Sequence, residues 1–149
     1  MAKIRITKKF GFEMAHALWN YDGACKNIHG HSYKLFVTVR GEPVQDENNV
    51  KTGMVMDFGD LKQIVNRTIV KRFDHCMVVS RKAPHDFLTK VEQMFDKYEV
   101  TPFQPTSENL LSYFVQILKK ELPPEVELVK LQLYETESNY AEWHREDNL

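Results

Sequence analysis

Alternation of apolar and polar residues predicts two strands near the start of the chain. Between residues 4 and 14 the apolar side chains occupy even positions, which is the period of a half-buried strand. Between residues 31 and 41 they occupy odd positions, so a second strand is predicted there, with His31 on its apolar face. Residues 16–28 combine turn-forming residues with aromatic ones, a composition that predicts a loop able to close over a pocket.

Spacings of three and four residues between apolar positions predict three helices. The first covers residues 58–71, with Asp57 as its N-cap. The second opens at Pro84 and carries an apolar stripe to Tyr98, which we interpret as core or subunit contact. The third is capped by Thr106 and has an apolar face that predicts burial.

The remaining segments complete an α+β pattern. Residues 42–52 are polar and predict a solvated connection, and residues 72–79 predict a loop that enters a short extended piece. Two further strands are predicted over residues 126–134 and 139–144. Glu135 continues the apolar face of the first of these two strands, where a carboxylate is placed at an energetic cost.

Length, charge and cysteine content exclude several classes of protein. A chain of 149 residues forms one domain with a core that needs no disulfides. The net charge of -1, from 20 basic and 21 acidic residues, favours neither a nucleic acid nor a membrane as partner. No signal peptide or membrane-spanning run is recognisable, and the 2 cysteines predict free thiols in a reducing compartment. We therefore expect a cytoplasmic protein that handles any anionic substrate locally.

The strongest chemical signal is His29-Gly30-His31, since side chains two apart on an extended backbone point to the same face. With His16 upstream, three imidazoles would form the ligand set of an open, catalytic zinc site. Cys25 lies four residues before His29. Near a dication its thiol could become a proton acceptor, or it could be a fourth ligand that closes the site. The sequence leaves both roles for Cys25 open.

Two other polar features have a functional reading beside a structural one. Asp74-His75 is either a surface turn or a proton-transfer pair in which the carboxylate supports the charged imidazole. Glu135 is either a paired carboxylate or an anchor that accepts a fork of N–H donors from a planar, guanidine-like ligand.

Six short motifs follow one another along nearly the whole chain: FEMAH at 12–16, CKNIHGHSY at 25–33, GMVMDF at 53–58, FDH at 73–75, PTSEN at 105–109 and YET at 134–136. In this order they resemble the 6-pyruvoyltetrahydropterin synthase superfamily. The resemblance implies one domain over residues 1–149 with the tunnelling fold (T-fold), in which helices pack on one face of a four-stranded antiparallel sheet. It also implies trimers whose sheets close into a β-barrel, stacked in pairs as a homohexamer.

The resemblance further implies the substrate 7,8-dihydroneopterin triphosphate, a Zn²⁺ cofactor and a role for each matching residue. These are zinc ligands His16, His29 and His31, the general base Cys25, the acid–base partners Asp74 and His75 contributed across a subunit boundary, the pterin anchor Glu135, and the pterin-pocket residues Thr106, Ser107 and Glu108.

The spacing from Cys25 to His29 is similar to that of the bacterial 6-carboxytetrahydropterin synthases of the queuosine (7-deazaguanine) pathway, because animal pyruvoyl-forming enzymes carry a longer insert there. This resemblance implies a lyase that releases acetaldehyde and triphosphate. The alternatives are the pyruvoyl-forming triphosphate lyase and, in another class, a non-catalytic zinc- and pterin-binding barrel. The chain departs from compact bacterial members by a helical insertion around residues 81–104, and by Phe73 where the family often has leucine.

Overall fold

A computed structural model describes residues 1–21, 23 and 26–149, and its strands form a single mixed sheet. The order across the sheet is β4-β3-β1-β2-β5-β6. The strands are β1 (Ile4–His16), β2 (His29–Gly41), β3 (Cys76–Ser80), β4 (Tyr98–Thr101), β5 (Glu127–Tyr134) and β6 (Tyr140–His144).

Helical segments connect the strands. They are α1 (Phe58–Val65), a π-helical segment (Asn66–Val70), α2 (Lys71–Phe73), α3 (His85–Met94), α4 (Ser107–Glu121) and a final 3-10 turn (Arg145–Asn148). The predicted caps are present, since Asp57 accepts a hydrogen bond from Gly59 N–H and Thr106 accepts one from Asn109 N–H. None of the helices formed by the described residues has the length and apolar character needed to cross a bilayer.

The two long strands β1 and β2 pair antiparallel along their whole length, as their alternating patterns predict. The register sets His16 opposite His29 and Met14 opposite His31. Even-numbered residues of β1 and odd-numbered residues of β2 therefore share one face of the sheet.

That face carries the hydrophobic core. Aromatic and aliphatic side chains of β1, β2 and β5 pack there against α1, the π-helical segment and α4. Members with no exposed surface include Tyr33, Leu35, Leu61, Phe73, Phe114, Leu118 and Leu131. The apolar face predicted for the third helix, which is α4, is confirmed in full, because Leu110, Leu111, Phe114, Val115 and Leu118 are all buried.

The expectation of a four-stranded antiparallel sheet is wrong, because β3 and β4 extend it to six strands and pair in parallel. The four predicted strands correspond to β1, β2, β5 and β6. β3 is buried on both faces, so its sequence shows no alternation, and the loop prediction for residues 72–79 anticipates only a short extended piece. β4 has four residues and begins at Tyr98, the last position of the predicted helical stripe.

The expectation that all helices lie on one face is also wrong for α3. Val91 of α3 packs with Met77 and Val79, which alternate with the core residues of β3 and so point to the opposite face. Residues 81–104 thus contribute the predicted helix, which ends at Met94, together with strand β4.

The helix after Asp57 changes its hydrogen bonding before it ends. In the π-helical segment, Lys71 N–H donates to Asn66 O, five residues back, where an α-helix would use the fourth. The chain then leaves the helix with Asp74 N–H donating to Val70 O at 2.8 Å. This local widening sets the direction in which Phe73 enters the core and Asp74 leaves it.

Truncation of Leu118 tests this packing. Leu118→Ala should lower the free energy of unfolding by about 2–5 kcal/mol, because the lost atoms leave a cavity between α4 and the sheet. The matched control Leu149→Ala, at an 87% exposed position, should change it by less than about 0.5 kcal/mol. Urea unfolding at one protein concentration measures both values, and equal values would contradict this assignment of the core.

Candidate metal centre and active site

Three histidines and one glutamate meet at one end of the sheet. One potential ligand atom from each of His16, His29, His31 and Glu135 lies within 4.8 Å of every other. Glu135 Oε1 is 3.1 Å from His31 Nε2 and 3.4 Å from His16 Nε2. The three predicted zinc ligands are therefore brought together, and the predicted pterin anchor Glu135 lies among them.

Strand pairing produces this cluster directly. His16 is the last residue of β1, and His29 is its antiparallel partner at the first position of β2. His31 follows two residues later on the same face, and Glu135 comes immediately after β5, which pairs with β2 on the other side. Four side chains from three separate stretches of the chain thus converge at one end of the sheet.

Backbone carbonyls orient two of the imidazoles. His16 Nδ1 lies 2.7 Å from Pro105 O, and His29 Nδ1 lies 2.7 Å from Asn27 O. Because a carbonyl oxygen only accepts, each Nδ1 must be the protonated donor. In a neutral ring the lone pair is then on Nε2, and both Nε2 atoms face the cluster.

The nitrogen and oxygen atoms that could bind a metal repel one another unless a positive charge lies between them. His16 Nε2 and His29 Nε2 are 3.0 Å apart, so two lone pairs would oppose each other beside a carboxylate. His31 Nε2 is buried without a well-formed hydrogen bond in the described part of the chain. A proton or a metal cation would relieve this repulsion, and imidazole with carboxylate is a ligand set that binds transition metals. The residues therefore fit a metal.

Two pKa shifts favour the forms of these groups that bind metals. Burial, the largest cause, lowers the pKa of His31 and so favours its neutral ring. The neighbouring His16 ring, as the largest cause, lowers the pKa of Glu135 and so favours the carboxylate. A neutral imidazole and an ionised carboxylate are the states in which both side chains coordinate a cation.

Asp74 and His75 form a second group outside this cluster. His75 Nδ1 is 3.1 Å from Asp74 Oδ1, and its side chain is 77% exposed. Glu13 of β1 holds the pair, since Glu13 N–H donates to Asp74 Oδ1 at 2.8 Å and His75 N–H donates to Glu13 O at 2.5 Å. The bond from Glu13 N–H is the largest cause of the lowered pKa of Asp74. The Asp74 carboxylate is therefore held by β1 within contact distance of the His75 ring.

A pocket of about 670 Å³ lies between the two groups. His31 of the metal cluster contributes to one part of its wall and His75 to another. Glu13 and Ser32 also line the pocket and are joined by a hydrogen bond of 2.6 Å from Ser32 Oγ to Glu13 Oε2. The pocket is large enough for a drug-sized ligand.

The predicted pterin-pocket residues begin helix α4 near the cluster. Thr106 is the N-cap, Glu108 is exposed, and Ser107 is buried. Within the described residues Ser107 Oγ has no hydrogen-bond partner. Pro105, which orients His16, directly precedes these residues. A buried hydroxyl without a partner is uncommon in folded proteins.

Cys25, the predicted general base, lies outside the described residues. Cys76 is a free thiol as predicted, but burial, the largest cause, raises its pKa to about 11. Cys76 is therefore protonated at neutral pH and is not an alternative base, although it contributes to the pocket wall.

Sequence reasoning does not identify the groups that hold the predicted side chains in place. The carbonyls of Asn27 and Pro105 and the backbone of Glu13 act through main-chain atoms, which any residue type could supply. The one available signal is that Pro105 is the first residue of the PTSEN motif.

Comparison with known proteins identifies the family of this chain. Residues 5–146 match the family model described as 6-pyruvoyl tetrahydropterin synthase. The chain is 32% identical over 141 residues to 6-carboxy-5,6,7,8-tetrahydropterin synthase of Haemophilus influenzae, covering 93% of this chain and 97% of that one. It is 31% identical over 133 residues to dihydroneopterin monophosphate aldolase of Pyrococcus furiosus, covering 89% and 90%.

A solved structure gives the same result for the fold. The 6-pyruvoyl tetrahydropterin synthase of Caenorhabditis elegans superposes with a TM-score of 0.68 at 26% identity, covering 97% of this chain and 96% of that one. The chain belongs to the 6-pyruvoyl tetrahydropterin synthase family. The family resemblance and the prediction of a lyase are thereby confirmed.

Removal of His29 tests the metal centre. His29→Ala should weaken Zn²⁺ binding by more than about 100-fold, because it removes a ligand. Loss of a residue that only orients a ligand already lowers metal affinity by about 10–100-fold. His85→Ala, at an exposed position on α3, should bind Zn²⁺ as the unmodified protein does. Calorimetric titration with Zn²⁺ gives both affinities, and an unchanged affinity in His29→Ala would contradict the assignment.

Proposed function

We propose that this protein is a zinc-dependent lyase that converts 7,8-dihydroneopterin triphosphate to 6-carboxy-5,6,7,8-tetrahydropterin, acetaldehyde and triphosphate in queuosine biosynthesis. The observation that carries the proposal is the convergence of three imidazoles and Glu135 in a chain of this family. The name of the Haemophilus influenzae relative supports the carboxypterin product. The spacing from Cys25 to His29 supports it independently.

In this proposal His16, His29 and His31 hold Zn²⁺ and Glu135 stays free for the substrate, because a catalytic zinc keeps an open position. When bound, the zinc supplies Lewis-acid polarisation of the substrate's side-chain oxygens. The Nδ1 bonds to Pro105 O and Asn27 O keep Nε2 of His16 and His29 available for coordination. The ligand geometry is thus set by the protein before any metal binds.

Two residues of the chain are proposed to move protons. Cys25 accepts a proton from the substrate side chain, and His75 exchanges a proton on another side. The Asp74 carboxylate beside His75 Nδ1 stabilises the charged ring and leaves Nε2 as the atom that faces the reactant. The exposure of His75 on the pocket wall supports this role.

The pterin ring is proposed to bind next to the cluster. The two oxygens of the Glu135 carboxylate match a planar fork of N–H donors such as the pterin carries. Thr106, Ser107 and Glu108, at the start of helix α4, are proposed to contact the ring, and they directly follow Pro105, whose carbonyl meets His16. A carboxylate already ionised by its neighbours is the form this recognition needs.

The complete site is proposed to form between subunits of a trimer or homohexamer in the cytoplasm. Within one chain, Asp74 and His75 lie outside the cluster of His16, His29, His31 and Glu135. The sheet ends in the strands β4 and β6, whose unpaired edges could pair with another copy to close a barrel. A neighbouring subunit would then bring its own Asp74–His75 pair to the cluster.

The product distinguishes the candidate functions. Incubation of the zinc-loaded protein with 7,8-dihydroneopterin triphosphate should yield acetaldehyde and a carboxypterin in equal amounts, measured by aldehyde derivatisation and chromatography. A pyruvoylpterin without acetaldehyde would replace the proposal by the pyruvoyl-forming lyase. Unchanged substrate that nevertheless binds would indicate the non-catalytic barrel.

Substitution of Cys25 tests whether this residue is a general base or a zinc ligand. Cys25→Ala should keep its full content of zinc and lose turnover, because the thiol is assigned to proton transfer.

Glu135→Gln should likewise keep zinc but raise KM, because the neutral amide recognises the pterin N–H groups less well. Zinc content is measured by atomic emission, and loss of zinc from either variant would make that residue a ligand.

A further inference from the structure

Lys97 joins the segment around β4 to the turn that presents His75. Its ammonium donates hydrogen bonds to Lys71 O at 2.7 Å and to Asp74 O. Lys97 O in turn accepts a hydrogen bond from Met77 N–H at 3.2 Å. One residue therefore contacts the chain before and after His75.

The turn that Lys97 contacts has an uncommon backbone. His75 has φ 58°, in the left-handed region that side chains other than glycine rarely adopt. Such a conformation persists only when its surroundings hold it, and it is often found at functional sites. Here Glu13 holds the turn from β1 and Lys97 holds it from the side of β4.

A second contact anchors the same two segments. Arg72 Nε and Nη2 donate to the two carboxylate oxygens of Glu99 at 2.8 and 3.2 Å. Glu99 is in β4, two residues after Lys97, and Arg72 precedes the turn by two residues. Two parallel hydrogen bonds between a guanidinium and a carboxylate are charge-assisted, and they also fix the relative orientation of the two groups. The segment around β4 is therefore fixed relative to the helix end that carries Asp74.

We infer that Lys97 is a positioning residue, which holds the left-handed turn at His75 and so fixes the direction of the His75 imidazole. The inference rests on the proposed function, in which His75 transfers a proton. Carbonyl oxygens at the end of a helix carry partial negative charge that an ammonium stabilises. Without the Lys97 ammonium the carbonyls of Lys71 and Asp74 would lose their donor. The Glu13 contacts and the Arg72–Glu99 pair would remain, so the turn would be held less firmly rather than released.

A direct role in binding the triphosphate is the competing explanation, since Lys97 also lies on the pocket wall. Its ammonium is already engaged with two carbonyls, and turning toward a phosphate would release them. The two roles differ kinetically, because a binding contact changes KM whereas a positioning contact changes kcat.

The experiment compares Lys97→Met, Lys97→Arg and the control Lys90→Met, an exposed lysine on α3. Lys97→Met should lower kcat about tenfold or more with little change in KM, corresponding to about 1.4 kcal/mol of transition-state stabilisation. Lys97→Arg should restore most of the activity, because a guanidinium can donate to both carbonyls. Lys90→Met should behave as the unmodified protein.

Hydrogen exchange of the His75 amide gives a readout that does not depend on turnover. Lys97→Met should speed this exchange while the amides of Val78 and Val79 in β3 keep their rates. Equal acceleration throughout β3 would overturn the inference, since Lys97 would then serve only general stability. A raised KM with unchanged kcat and exchange would also overturn it, in favour of phosphate binding. An inactive unmodified protein would refute the proposed lyase, and the exchange rates would still decide whether Lys97 holds the turn.

Discussion

The pairing of β1 with β2 is the constraint on which the site depends. Their register sets His16 opposite His29 and keeps His31 on the same face. A slip of one residue would turn the β2 histidines to the opposite face and would also expose the apolar side of β2. Burial of the core and assembly of the metal ligands are therefore enforced by the same hydrogen bonds, so the hydrophobic effect supplies the free energy that brings the imidazoles together.

Much of this arrangement could be predicted because its signals are local. The alternation along β1 and β2, the caps Asp57 and Thr106 and the apolar face of α4 each depend on residues close in sequence. The histidine cluster follows from the same alternation, since parity alone puts His31 on the face that proves to carry His16. Parity on the predicted strand over residues 126–134 also singles out Glu135, whose position next to the histidines comes from strand order rather than from sequence spacing.

The rest could not be predicted because it depends on contacts that carry no sequence signal. β3 is buried on both faces, and β4 is too short to show a period of its own. α3 covers the side of the sheet to which Met77 and Val79 point, and this follows from contacts between separate elements that no local sequence pattern predicts. Lys97 resembles any exposed lysine in sequence, and its role is visible only where its ammonium meets the two carbonyls.

The π-helical segment before Asp74 has a consequence for how this chain can change in evolution. Deleting one residue from Asn66–Val70 would restore α-helical hydrogen bonding and rotate all that follows by about 100° around the helix axis. Phe73 would then turn out of the core and Asp74 away from Glu13. Lineages of this sequence should therefore exchange side chains in this helix freely on its exposed side while conserving its length to the residue.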